Sequence, residues 1–140
     1  MNYLLDTNVV SEWVKPRPDP GVASWLAEAD EDRLYLSVMT LTELRYGIER
    51  LPDGARRKRL DSWLSNDMPF RFEGRVVPID GEVAASCGRI MARRESMGVP
   101  IGMADAFIAA TAVVHACTLV TRNVSDFKPS IASIISPWTT

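Results

Sequence analysis

The sequence predicts a single α/β domain over residues 1–140, with helices on both faces of a central parallel sheet. Three observations predict it. Short apolar runs at 3–5, 33–37, 75–79, 118–121 and 133–135 are too short for helices and read as strands. The stretches between them carry apolar residues at helical spacing, and strands alternating with helices indicate a parallel sheet covered on both sides. No internal repeat, low-complexity tract or interdomain linker interrupts the alternation, and 140 residues is one domain's length.

The first strand, Tyr3-Leu4-Leu5, runs straight into Asp6-Thr7-Asn8. In an open parallel sheet, ligands bind outside the carboxyl ends of strands, so Asp6 is a candidate site residue. It is equally a candidate helix cap, a role that favours Asp and Asn. Residues 8–14 read as a helix that ends at Pro16, Pro18 and Pro20, since prolines cannot continue it. A short helix at 22–29 turns Trp25 and Leu26 inward, and the second strand follows at 33–37. Thr40 and Glu43 then match a capping box opening a helix, with Leu41, Leu44, Ile48 and Leu51 at helical spacing. Pro52-Asp53-Gly54 breaks the chain. A helix over 55–66 buries Leu60, Trp63 and Leu64, and 68–74 reads as irregular. Pro78 marks the end of the third strand. Asp80 caps a helix from 82 to 97, which Gly98 and Pro100 stop. Residues 104–116 are small and apolar almost all round, the mark of a buried helix. The helix dipole favours a carboxylate in its first turn, yet that alone does not explain Asp105 on so buried a helix. Residues 122–127 read as a polar loop, in which Asn123 and Asp126 could close a turn.

Composition is that of an ordinary globular protein, 46% hydrophobic and 24% charged, with a core large enough to need no staples. No apolar run reaches the 18 or so residues of a membrane span, and there is no signal-peptide pattern. Cys87 and Cys117 lack framework spacing and read as buried free thiols in a reducing compartment, which points to the cytoplasm and away from a membrane. Net charge is −2, which does not advertise nucleic acid, although net charge hides local clusters. Two such clusters exist, Arg56-Arg57-Lys58-Arg59 and Arg89, Arg93 and Arg94; each reads first as a solvated helix face and second as a phosphate-binding patch.

Asp6, Glu43 and Asp126 reach the carboxyl edge of the predicted sheet by chain order; Asp105 joins them if its helix begins beside the same crevice. Two like charges about 4 Å apart cost roughly 4 kcal/mol at an effective dielectric of 20, so four carboxylates call for raised pKa values or a cation. Oxygen ligands suit Mg²⁺ or Mn²⁺, and a single His with two apolar-patterned Cys offers no zinc set. His115 reads as structural. A carboxylate-held Mg²⁺ can activate water against a phosphodiester, but the same acids suit a phosphatase or a phosphoacceptor domain.

The motifs in order resemble those of the PIN-domain ribonucleases, specifically the VapC/FitB-like toxins of prokaryotic toxin–antitoxin pairs. The matching stretches are Tyr3-Leu4-Leu5-Asp6-Thr7-Asn8 with Ser11, then Thr42-Glu43-Leu44-Arg45-Tyr46-Gly47, then Ala104 to Ala110, then Leu119 to Phe127. The resemblance implies a three-layer α/β/α fold and Mg²⁺- or Mn²⁺-dependent cleavage of RNA. It also implies a homodimer and a cognate antitoxin, which would cover the acidic crevice with an Arg or Lys. By this match Asp6, Glu43, Asp105 and Asp126 are the catalytic, metal-holding acids. The fourth place is shared between Asp126 and Asn123, since some PIN domains carry an acid where this chain has Asn123. Thr7, Asn8, Thr121 and Asn123 support the acids, and Arg45 and Arg122 contact substrate. Two other readings stand beside this one. A haloacid-dehalogenase-like phosphatase wants a second Asp two residues after the first, where this chain has Asn8. A catalytically silent partner-binding module of the same fold would not need all four acids.

Overall fold

The computed structural model describes residues 1–139. Five strands, β1 (Tyr3–Leu5), β2 (Leu34–Ser37), β3 (Val76–Val77), β4 (Thr118–Val120) and β5 (Ile134–Ile135), form one sheet in the order β3-β2-β1-β4-β5. Every pairing is parallel. Tyr3 pairs with Leu34 on one side and Thr118 on the other, so the first strand lies at the centre.

Side-chain alternation assigns the two faces. Leu5, Leu34, Leu36 and Val120 pack under α1 (Thr7–Glu12), α2 (Pro20–Glu28), α3 (Val38–Glu49), α4 (Ala55–Ser62) and α5 (Met68–Arg71). Leu4 and Leu119 face the other way, against Ile108, Ala109 and Ala112 of α7 (Met103–Val114) and Phe127 of α8 (Val124–Phe127). Behind α7 lies α6 (Gly81–Ser96), joined to it through Val83, Cys87, Ala106 and Ala110. This is the expected three-layer α/β/α sandwich. Both cysteines are buried and free. Among the described residues no helix is long and apolar enough to cross a membrane.

Several local expectations change. The cap of α3 is Ser37, whose hydroxyl accepts from the Met39 N–H at 3.0 Å. Thr40 is a buried residue inside the helix, so the Thr40–Glu43 capping box does not form, and Glu43 is free for another partner. The helix predicted over 55–66 does not stop before 68: it widens into a π-helical turn at Trp63–Asp67 and resumes as α5. The cause is Pro69, which has no N–H to donate and whose ring crowds the preceding turn. The polar loop at 122–127 contains the short helix α8 instead, placing Asp126 in a first turn. α7 is buried along Ala106 and Ile108 to Ala112 but opens at its ends, where Met103 and Val113 are exposed. His115 caps its carboxyl end through its backbone.

Candidate active site

The order β3-β2-β1-β4-β5 reverses direction between β1 and β4, and in open parallel sheets the crevice that binds ligands lies beyond the strand ends at such a point. Asp6 follows β1 and Thr121 follows β4, so both stand at its floor. Of the two roles expected of Asp6, the structure bears out the helix cap. Its backbone caps α1, and Oδ1 accepts from the Thr7 N–H at 2.8 Å. Its Oδ2 turns across the sheet to accept from the Thr121 hydroxyl at 2.8 Å.

Thr7 and Thr121 therefore act as struts. The Thr7 hydroxyl donates to Glu43 Oε1 at 2.6 Å, linking α1 to α3. The Thr121 oxygen also accepts the Asn123 N–H at 3.0 Å. Asn8 takes the Arg122 N–H on its Oδ1 at 3.3 Å and points its amide toward Asp6 and Thr121 at 3.4 Å each. Asn123 thus enters through its backbone.

Electrostatics ties the four acids together. Burial drives the Asp6 carboxyl up to about 6; hydrogen bonds from Thr121 and Thr7 oppose that rise, and the charges of Asp105 and Glu43 add to it. Asp105 is also raised, first by burial and then by repulsion from Glu43 and Asp126, with Arg94 pulling the other way. Asp126 is exposed, but its charge is felt at Asp105.

The donor set is all oxygen and anionic, and Asp6 lies buried without a cationic partner, which suits a hard divalent ion. Among the described residues no three acids converge tightly enough to share one ion. The hydrogen bond from Thr7 turns one Glu43 oxygen aside, and Asp6 has both oxygens engaged. The acids fit such an ion by chemistry and charge; gripping it requires their side chains to turn inward.

Two predicted substrate contacts stand apart. Arg45 lies two residues after Glu43, on a different face of α3. Its guanidinium is committed to Asp61 at 2.5 Å and Ser65 at 2.9 Å. Arg122 rests over the Trp138 ring at 5.8 Å, at the rim of the crevice. A groove of about 590 Å³ instead leads away from Thr7 and Glu43. Val14, Leu44, Ile48, Leu51 and Trp63 line it, and Lys15, Arg56 and Arg59 add positive charge. Two members of the basic run therefore border the crevice, while Arg57 pairs with Glu49 and Asp53.

Sequence reasoning missed Arg94, which had been grouped with a solvated cluster. Only 5% of it is exposed. The signal was present: Val83, Cys87, Ile90 and Arg94 recur at intervals of four, three and four, one stripe of α6.

Comparison with known proteins gives concordant results. The PIN domain family profile matches residues 3–128. The VapC ribonuclease Y4jK of Sinorhizobium fredii is 40% identical over 135 residues, covering 96% of each chain. The toxin FitB of Neisseria gonorrhoeae is 37% identical over 135 residues, 96% of this chain and 97% of its own. The crystal structure of FitAcB from Neisseria gonorrhoeae superposes with a TM-score of 0.91 at 36% identity, covering 99% of both chains.

Proposed function

The chain belongs to the PIN domain family, and from that premise we propose that it is a divalent-metal-dependent endoribonuclease, the toxin of a toxin–antitoxin pair. The observation that supports this reading is a chain of repulsion among acids: Asp6, buried where β1 ends, feels the charges of Asp105 and Glu43, and Asp105 feels those of Glu43 and Asp126. Full-length likeness to a VapC ribonuclease and to a toxin supports it. A phosphatase of another α/β family is disfavoured by that likeness and by Asn8.

Asp6, Glu43, Asp105 and Asp126 would hold Mg²⁺ or Mn²⁺. Such an ion would supply Lewis-acid chemistry, polarising an attacking water and stabilising the leaving oxygen of a phosphodiester. The chain's own contribution is orientation. Thr121 and Thr7 fix the two oxygens of Asp6, and Thr7 fixes Glu43. Asn8 ties the β4 loop to the β1 loop through the Arg122 N–H. Arg56 and Arg59 offer cations to the RNA backbone on one side of the acids, a role that Arg45, paired with Asp61, and Lys15, paired with Glu12, do not fill.

The same groove suits an antitoxin: its apolar lining would take an amphipathic segment, and an Arg or Lys from that segment would reach Glu43 and Asp6. A guanidinium pairs with carboxylates bidentately and stays charged at any relevant pH, so it would compete with the metal. Exposed Met97, Met103 and Val113 on the α6–α7 pair are candidates for contact with a second copy in a homodimer. Reduced, buried thiols accord with the cytoplasm.

The test incubates the pure protein with a tRNA and rRNA panel in Mg²⁺, in EDTA, and with the product of a neighbouring gene. Cleavage is expected only in metal, and the partner is expected to suppress it. Asp6→Asn, which keeps the shape and removes a charge, should lower the rate by orders of magnitude. Wild-type cleavage by Asp6→Asn, or equal cleavage in EDTA, would refute the assignment.

A further inference from the structure

Arg94 is the one buried cation among the described residues, and nothing in the proposed chemistry has yet used it. Its Nε donates to the Val99 carbonyl at 2.6 Å. Its Nη1 donates to the Asp126 carbonyl and the Ser130 hydroxyl, both at 2.9 Å. These acceptors belong to the turn after α6, to α8 and to the segment beyond it. Among the described residues no carboxylate lies within 4.0 Å of its nitrogens. A guanidinium taken out of water among neutral acceptors is an expensive way to join two turns. Its positive charge is felt at Asp105, where it opposes the rise caused by burial and by the neighbouring acids.

Phe127 anchors α8 in the core, but on its polar side Arg94 is the side chain that ties it to α6. α8 has four residues and no side-chain cap, and Asp126 is exposed on it. We propose that Arg94 is a positioning residue of the acidic site: its fork grips the Asp126 carbonyl and Ser130 from the buried side and thereby sets where the Asp126 carboxylate stands relative to Asp105. It touches neither metal nor substrate. The inference rests on the metal-nuclease reading above.

Calorimetric titration of the full chain with Mn²⁺ provides a readout separate from cleavage. Arg94→Lys keeps the charge and loses the fork. It should weaken Mn²⁺ by about tenfold or more, as loss of a partner that orients a metal ligand generally does. Against RNA it should lower kcat more than it raises KM. In an Asp126→Asn background the same substitution should change Mn²⁺ affinity little, because the group it positions is gone. A purely structural Arg94 would lower the melting temperature in both backgrounds and leave Mn²⁺ affinity unmoved, and that outcome overturns the proposal. So does an equal loss of affinity in both backgrounds. Should Arg94→Lys fail to fold, Ser130→Ala removes one acceptor of the fork; a loosening of Mn²⁺ by a few fold, confined to the chain with Asp126 intact, supports the proposal, and no loosening overturns it. Asp6→Asn is the control: if it binds Mn²⁺ like the wild type, the metal-site reading itself has failed; if it loses Mn²⁺ while Arg94→Lys does not, only the role of Arg94 has.

Discussion

Asp6 is 4% exposed and carries a charge that its surroundings disfavour. Because the folded carboxyl is pushed up from 3.8 to about 6, the folded state binds more protons than the unfolded state between those values. Stability of the metal-free protein therefore falls as pH rises through that window, by about 3 kcal/mol on this account. Below pH 4 the contribution vanishes. Asp6→Asn should flatten the slope to what Asp105 still contributes, leaving a metal-free protein more stable at pH 7 than the wild type although inactive; denaturant unfolding at pH 4, 5, 6 and 7 measures it, and parallel curves for the two proteins would contradict the burial argument. Asp6 was legible in the sequence because an apolar run ending in Asp-Thr-Asn announces a strand end whatever follows. Glu43 was misread as a capping partner, for a physical reason. The pattern Thr-x-x-Glu is local, whereas its real partner, Thr7, lies 36 residues earlier and arrives only when α1 meets α3. Arg94 was hidden by its neighbours Arg89 and Arg93; the apolar stripe that buries it outweighs their exposure.

At the scale of elements, α2 illustrates how a short helix is fixed from outside itself. Asp19 caps it through the Val22 N–H at 3.1 Å, and the same carboxylate accepts the Thr139 hydroxyl at 2.8 Å. Gly21 lies beneath this closing segment, and a Cβ there would stand 2.3 Å from the Pro137 carbonyl oxygen. Gly21→Ala would gain up to about 1 kcal/mol of helix propensity and lose about 1–3 kcal/mol to overpacking against backbone that cannot easily retreat. Net destabilisation is expected, lowering the melting temperature by a few degrees; an unchanged or raised value would show that the terminal segment does not press on α2. Helix positions were readable from periodicity, as α6 with its Asp80 cap and Gly98 stop shows. The π-helical turn at Trp63–Asp67 was not, because Pro69 announces a break, while Leu64, Met68 and Phe72 are all buried in one core and favour carrying the helix past it.

Across the whole molecule, the same repulsion that destabilises the empty crevice makes folding and ion binding one equilibrium. A cation that binds only the folded state adds about 2.7 kcal/mol at a hundredfold excess over Kd, and it also relieves the strain among the acids. Millimolar Mn²⁺ should raise the melting temperature of the isolated protein by several degrees, less so in Asp105→Asn; no movement in the wild type would argue against a metal site. The parallel sheet was legible from alternation alone. The strand order was not, since nothing in the sequence near Tyr3 says that its partners are Leu34 and Thr118. That order has a consequence in time. The ribosome releases the central strand long before β4, one of its two neighbours in the sheet. At about 5–20 residues per second, the interval between Asp6 and Thr121 lasts roughly 6–25 s. Throughout it the floor of the crevice lacks the strand that supplies its second side. The nascent polypeptide is thus unarmed until Thr121 and the strand before it have been made and paired, and the machinery making it meets no assembled site before then.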